Sequence, residues 1–175
     1  MSEQPGRYQR SFSGMIGAMA VLLLAVGAFV LFRDVNRDDP ASPVHAVDYR
    51  GPADYARGVA TFDLLAPAKL PEGWIATSVN FTQGEEQAWH LGFLTDERHY
   101  VGLEQADRPV SGMVEDFVDQ EAVQGDDVVV AGKTWETWSD DGDDLALVND
   151  SGGVTTVVVG RVPEETLEAF INTLD

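Results

Sequence analysis

The sequence predicts an α+β protein: an N-terminal transmembrane helix, then one domain in which helices pack an antiparallel sheet of about five to seven strands. Three observations carry that expectation. A run of 21 residues from Phe12 to Phe32 contains no charge. Beyond residue 74, short aromatic and β-branched runs come in pairs around polar or glycine-bearing turns, the pattern of antiparallel hairpins. Two further segments repeat apolar residues at i, i+3, i+4 and i+7, the helical period.

The uncharged run (FSGMIGAMAVLLLAVGAFVLF) extends roughly 32 Å as a helix, matching a hydrocarbon core of about 30 Å. A cleaved signal peptide has an apolar core of about 7–15 residues followed by a small-x-small site. Here the run is longer and ends in Val30-Leu31-Phe32-Arg33, so it reads as a retained anchor in the lipid bilayer. Arg7 and Arg10 precede it and Arg33 and Arg37 follow, the latter diluted by Asp34, Asp38 and Asp39. The positive-inside tendency then makes residues 1–11 a short cytoplasmic tail and 12–32 the span. Residues 33–46, polar with two prolines, form a spacer. Residues 47–175 form the α+β domain, outside the cell membrane.

Net charge is −19. Residues 1–43 hold four bases and four acids, so the excess lies in residues 44–175, where 26 acids face seven bases. Such a surface repels nucleic acid and anionic headgroups and leaves basic partners and divalent cations open. The chain has no cysteine, which removes disulfides, thiolate metal sites and a cysteine nucleophile.

In chain order, residues 52–62 open with a proline and space Tyr55, Val59 and Phe62 as one helical stripe, beside Ala56 and Ala60. Two prolines and a glycine in residues 64–73 make a fixed connection. Residues 74–82 read as a strand alternating Trp74, Ala76 and Ser78 against Ile75, Thr77, Val79 and Phe81. Residues 87–94 and 99–105 make a hairpin around Thr95–Arg98, pairing His90 with Leu103 and His99 with Leu94. Val110, Met113, Val114, Phe117 and Val118 define a helix over 110–119. Residues 128–131 and 134–138 flank Gly132-Lys133, and residues 145–149 and 154–160 flank Asp150–Gly153, as two more hairpins. Pro163, Glu164 and Glu165 begin a last helix whose stripe is Leu167, Phe170, Ile171 and Leu174. The helices are expected on one face of the sheet.

Several of these segments are shared with a known family. The N-terminal span and Tyr-Arg spacer, Leu70-Pro71-Glu72-Gly73-Trp74, Gly132-Lys133-Thr134-Trp135-Glu136 and the ending through Pro163–Leu174 resemble domain of unknown function family 4245. These are small actinobacterial single-pass membrane proteins. The resemblance covers Tyr49 to Leu174. It implies an extracytoplasmic domain and carries over no functional residue, since the family has no assigned activity.

No catalytic residue or cofactor motif stands out. Asp140, Asp141, Asp143 and Asp144 around Gly142 offer hard oxygen ligands for a cation, but their spacing departs from the calcium-loop pattern and suits a hairpin turn. His90 and His99 sit about 13 Å apart along their hairpin, too far to share a zinc. No G-x-S-x-G elbow marks a serine nucleophile. Trp135 and Trp138 are three apart and so point to opposite sheet faces; one of them is a candidate contact for a sugar or peptide. The function expected is a non-catalytic, membrane-tethered envelope domain that binds an envelope ligand or partner protein. An envelope hydrolase or a cation-dependent structural module is the alternative. Oligomeric state is left open.

Overall fold

A computed structural model of the chain describes residues 12–35 and 44–175. The expected tail 1–11, and spacer residues 36–43 with Arg37, Asp38 and Asp39, lie outside the described residues. The chain divides into two units, Met1–Val44 and His45–Asp175. In the first, α1 (Phe12–Val35) is a 24-residue helix that continues three residues beyond the uncharged run. Among the described residues, no helix is long and apolar enough to cross a membrane. A span at 12–32 therefore rests on the sequence of that run and is taken up under Proposed function.

The second unit is α+β. Its elements are α2 (Arg50–Val59), β1 (Ile75–Thr82), β2 (Ala88–Leu94), β3 (Tyr100–Ala106), α3 (Val110–Phe117), β4 (Val123–Gln124), β5 (Val128–Val130), β6 (Lys133–Ser139), β7 (Leu145–Ser151), β8 (Val154–Gly160) and α4 (Glu164–Ile171). One antiparallel sheet runs β1-β2-β3-β8-β7-β6-β4, with β5 also paired to β6. That makes eight strands, more than the expected five to seven. The two-residue β4 has too little alternation to be read from sequence.

Two cores lie on the two sides of the sheet, as strand alternation requires. On one side, Trp89, Leu91, Phe93, Val101, Leu103, Leu147 and Val158 meet Ala53 and Ala56 of α2 and Leu167, Phe170 and Ile171 of α4. On the other, Ala106, Ala146, Val148, Val157 and Val159 meet Met113 and Val114 of α3. Helices thus cover both faces, not the single face expected. The reason is that β7 and β8 are apolar at both parities, with patterns such as Val157, Val158 and Val159, and each parity needs a cover.

The buried side of α2 is Ala53 and Ala56, whereas Tyr55 and Val59 are exposed. The expected stripe of large residues is corrected: small alanines bring the helix backbone close to the sheet. Tyr49 fills the space before it, packing edge-on to Phe93 at 6.0 Å and donating its hydroxyl hydrogen bond to the Pro67 carbonyl at 2.8 Å. The connection after α2 is tied to the C-terminus. Ala66 and Asp175 exchange backbone hydrogen bonds, and Ala68 donates to the Thr173 carbonyl. Trp74 then stacks on Phe170 at 5.4 Å, and Phe170 meets Phe93 at 5.1 Å.

Three hairpins differ from the sequence reading; in β7–β8, Asp150 and Ser151 pair with Thr155 and Val154, so the turn is Gly152-Gly153 rather than Asp150–Gly153. The β2–β3 turn contains five residues, Thr95 to His99, with Arg98 at φ 66°. His90 therefore faces Glu104 rather than Leu103, and Leu94 faces Tyr100 rather than His99. The β5–β6 turn is Ala131-Gly132, both at positive φ, one residue before the expected Gly132-Lys133.

Candidate functional site

A β-bulge sets the site. Between β1 and β2 the pairs Ala76–Phe93 and Ser78–Gly92 are consecutive, leaving Thr77 as the extra residue. Ala76 points into the first core, and strict alternation would send Ser78 the same way. The bulge reverses the parity, so Ser78 joins Asn80, His90 and Glu104 on the opposite face. α3 covers the β7–β8 half of that face, and the β1–β3 half carries these polar side chains.

Asn80, His90 and Glu104 occupy one rung across β1, β2 and β3, and Ser78, Gly92 and Gly102 occupy the next. His90 reaches both ways. Its Nδ1 lies 2.5 Å from Glu104 Oε1, and its Nε2 lies 2.8 Å from Ser78 Oγ. With Glu104 ionised, Nδ1–H donates to the carboxylate, and Nε2 is left to accept the serine hydroxyl proton. Glu104 is 6% exposed. Burial pushes its carboxyl up, and the hydrogen bond from His90 draws it partly back. The same bond raises the imidazole of His90 against the opposing effect of burial.

Gly92 and Gly102 face each other and leave a bare floor beside the relay. The Tyr100 ring lies over it. A Cβ added at Gly92 would come within 3.0 Å of the ring and collide with Ser78 Oγ, and one at Gly102 would lie 3.1 Å from Tyr100 Oη. Tyr100 is 46% exposed, but its hydroxyl end sits in this cradle, where burial first and the Glu104 carboxylate second push it up to about 12. It remains a hydrogen-bond donor through the neutral range. Tyr100 also forms one wall of a cleft of about 430 Å³, lined further by Arg98, His99, Phe117 and Arg161.

A second concavity opens on the other side of the sheet. This cleft of about 440 Å³ is lined by Arg57, Phe62, Gln105, Lys133, Asn149 and Ser151, among others. Gln105 is buried and fixed by Leu65 N–H, the Asp63 carbonyl and Thr156 Oγ1. Arg57 is paired to Asp175 at 2.7 Å. Lys133 has no ion-pair partner among the described residues.

The candidates drawn from sequence lie elsewhere. Asp140 Oδ1 accepts the backbone N–H of Gly142 at 2.9 Å and of Asp144 at 2.8 Å, closing the β6–β7 turn. Asp144 is paired to Arg161 at 3.0 Å, and Asp143 holds φ 68°. Asp141 is exposed beside them. Among the described residues, no group of three or more His, Asp or Glu side chains is placed to hold a metal ion. Trp135 is 2% exposed, sits in the first core and donates Nε1–H to the Val130 carbonyl. Trp138 packs half-buried on the second core, with Nε1–H donating to Glu136. The two do point to opposite faces. The Ser78–His90–Glu104 relay has no linear motif. Its only sequence signal is His90 and Glu104 flanking a hairpin turn, and this depends on the turn length.

The family model for proteins of unknown function DUF4245 matches residues 7–174, nearly the whole chain. The chain belongs to this family. No curated protein matches it.

Proposed function

We propose that this DUF4245 chain is a membrane-anchored domain of the cell envelope. In this reading residues 12–32 span the cell membrane, residues 1–11 face the cytoplasm, and the His45–Asp175 unit lies outside and binds an envelope ligand or a partner protein. The observation that supports it most directly is the run of 21 uncharged residues from Phe12 to Phe32, about 32 Å long as a helix at about 1.5 Å per residue. A helix apolar on every side is suited to lipid or a large core.

Binding is supported by the 440 Å³ cleft beside Phe62, Lys133, Asn149 and Ser151. Pockets for small molecules combine concave walls with a few placed polar groups. Here amide, hydroxyl and one aromatic side chain line the wall, and the Arg57 charge is offset by Asp175. Lys133, without an ion-pair partner among the described residues, and Asp63 also line it, so the cleft suits a hydroxyl-rich polar ligand such as a saccharide, with or without a charged group.

The test is chemical cross-linking of the full-length protein in its native membrane, followed by mass spectrometry. One dominant cross-linked protein supports the partner form of the reading. Recovery of none above a control without cross-linker contradicts it and leaves the small-ligand form, which saccharide titration against the wild type and Asn149→Ala then decides.

A further inference from the structure

We propose that the outer edge of β1 is a contact between two copies of this chain, which pair β1 with β1 antiparallel about Asn80 and join their sheets into one. The proposal goes beyond the tethered-binding reading. It uses neither the 440 Å³ cleft nor the anchor, so each can fail without the other.

β1 ends the sheet and is paired to β2 alone. At its start the Ala76 carbonyl accepts Val47 N–H at 2.9 Å. Among the described residues, no other backbone hydrogen bond outside the β1–β2 ladder reaches Thr77–Thr82. An open edge is a template for a further strand, and sheets commonly blunt it with lysine, other charges or proline. β1 has none of these. Gly73–Gly84 is the longest stretch of residues 44–175 without Asp, Glu, Lys or Arg, twelve residues in a region where 26 acids face seven bases. The next longest, Ser151–Gly160, holds β8 in the middle of the sheet, where burial excludes charge. Burial does not explain β1, since Asn80 and Thr82 are exposed.

Charge and side-chain pattern together point to a second copy as the occupant. Another copy carries the same acidic surface and is repelled by most of it. Along β1 the two can meet without opposed carboxylates. A two-fold axis at Asn80 makes the contact self-complementary. Val79 of one copy then lies opposite Phe81 of the other, on the side where both already pack against the first core. On the polar side Ser78 meets Thr82 and Asn80 meets Asn80, so like groups pair across the junction. An axis at Val79 would instead bring the bulged Thr77 into the ladder opposite Phe81. The exposed side of α2 borders the same edge. Gln83 Nε2 donates to Tyr55 Oη at 3.1 Å, and Tyr55 and Val59 are 56% and 42% exposed. A second copy beyond β1 covers this apolar pair, which the core of a single copy leaves in solvent.

The chain has no cysteine, so single-cysteine variants report the contact without background. The experiment oxidises the full-length Asn80→Cys, Thr82→Cys and Val129→Cys proteins in detergent and reads the disulfide-linked dimer on a non-reducing gel. Asn80→Cys is expected to cross-link, because residues directly opposite place their Cβ atoms about 5 Å apart. The two Thr82 positions lie about 13 Å apart along the ladder, and cross-linking there is expected to be lost. Val129 on β5, 74% exposed, reports random collision. Sedimentation of the same full-length protein supplies the second readout. Wild type is expected to be dimeric, and Asn80→Lys, which sets two lysines face to face, to be monomeric. Cross-linking of Asn80→Cys no faster than that of Val129→Cys or Thr82→Cys overturns the proposal. So does a monomeric wild type, or an Asn80→Lys protein that stays dimeric.

Discussion

His90 and Glu104 are direct cross-strand partners on β2 and β3, with His90 Nδ1 2.5 Å from Glu104 Oε1. A buried carboxylate and a half-buried imidazole thus share one hydrogen bond on the polar half of a sheet face. The relation has a measurable consequence. The Glu104 bond raises His90 above its ordinary 6.5, whereas burial alone lowers it. Imidazole NMR titration of the His45–Asp175 unit is expected to place His90 above 6.5, and Glu104→Gln to bring it down. A wild-type His90 titrating at or below 6.5 contradicts the relay. The sign for stability follows from a folded value raised above the unfolded one. The bond's contribution is complete below about pH 6.5 and is lost as pH rises through the folded value.

Phe170 is the second point of leverage. It is fully buried, and it joins α4 to β2 and to the start of β1 through Phe93 at 5.1 Å and Trp74 at 5.4 Å. Phe170→Ala leaves a cavity between stacked rings and is expected to cost about 3–5 kcal/mol. Urea denaturation of the His45–Asp175 unit measures it. A loss below about 1 kcal/mol shows that α4 is not part of the core.

Gly73 holds the entry to β1. Its φ is 80°, and a Cβ there would lie 2.6 Å from Asp96 Cβ, in the β2–β3 turn. Gly73→Ala meets both an unfavourable backbone and a collision, and is expected to cost on the order of 1–3 kcal/mol. The melting temperature should fall accordingly. Gly84→Ala is the comparison for strain alone, because its φ is 128° and its Cβ position is open. A smaller fall at Gly73 than at Gly84 contradicts the contact with Asp96.

Much of the fold is legible in the chain because period and turn chemistry act locally. The stripe of Leu167, Phe170 and Ile171 is the buried side of α4, and Met113 and Val114 are the buried side of α3. The hairpin around Asp140–Asp144 also stands where turn residues place it, and the β7–β8 hairpin turns within the expected Asp150–Gly153, at its two glycines. The candidate site is less legible because it depends on single-residue offsets. Arg98 in the left-handed region adds one residue to a turn and moves His90 from Leu103 to Glu104. Thr77 adds one to a strand and moves Ser78 to the other face. A shift of one in a strand exchanges faces, so two short irregularities create a cluster that alternation hides. The tryptophans and aspartates that stand out by composition instead close turns and fill cores.

The most direct test of the membrane-anchored reading is protease accessibility of the full-length protein in intact spheroplasts and in inverted vesicles, together with alkaline extraction. The predicted result is retention in the membrane without detergent, cleavage of the His45–Asp175 unit in spheroplasts, and its protection in inverted vesicles. Release by alkali, or protection in spheroplasts with cleavage in inverted vesicles, contradicts it.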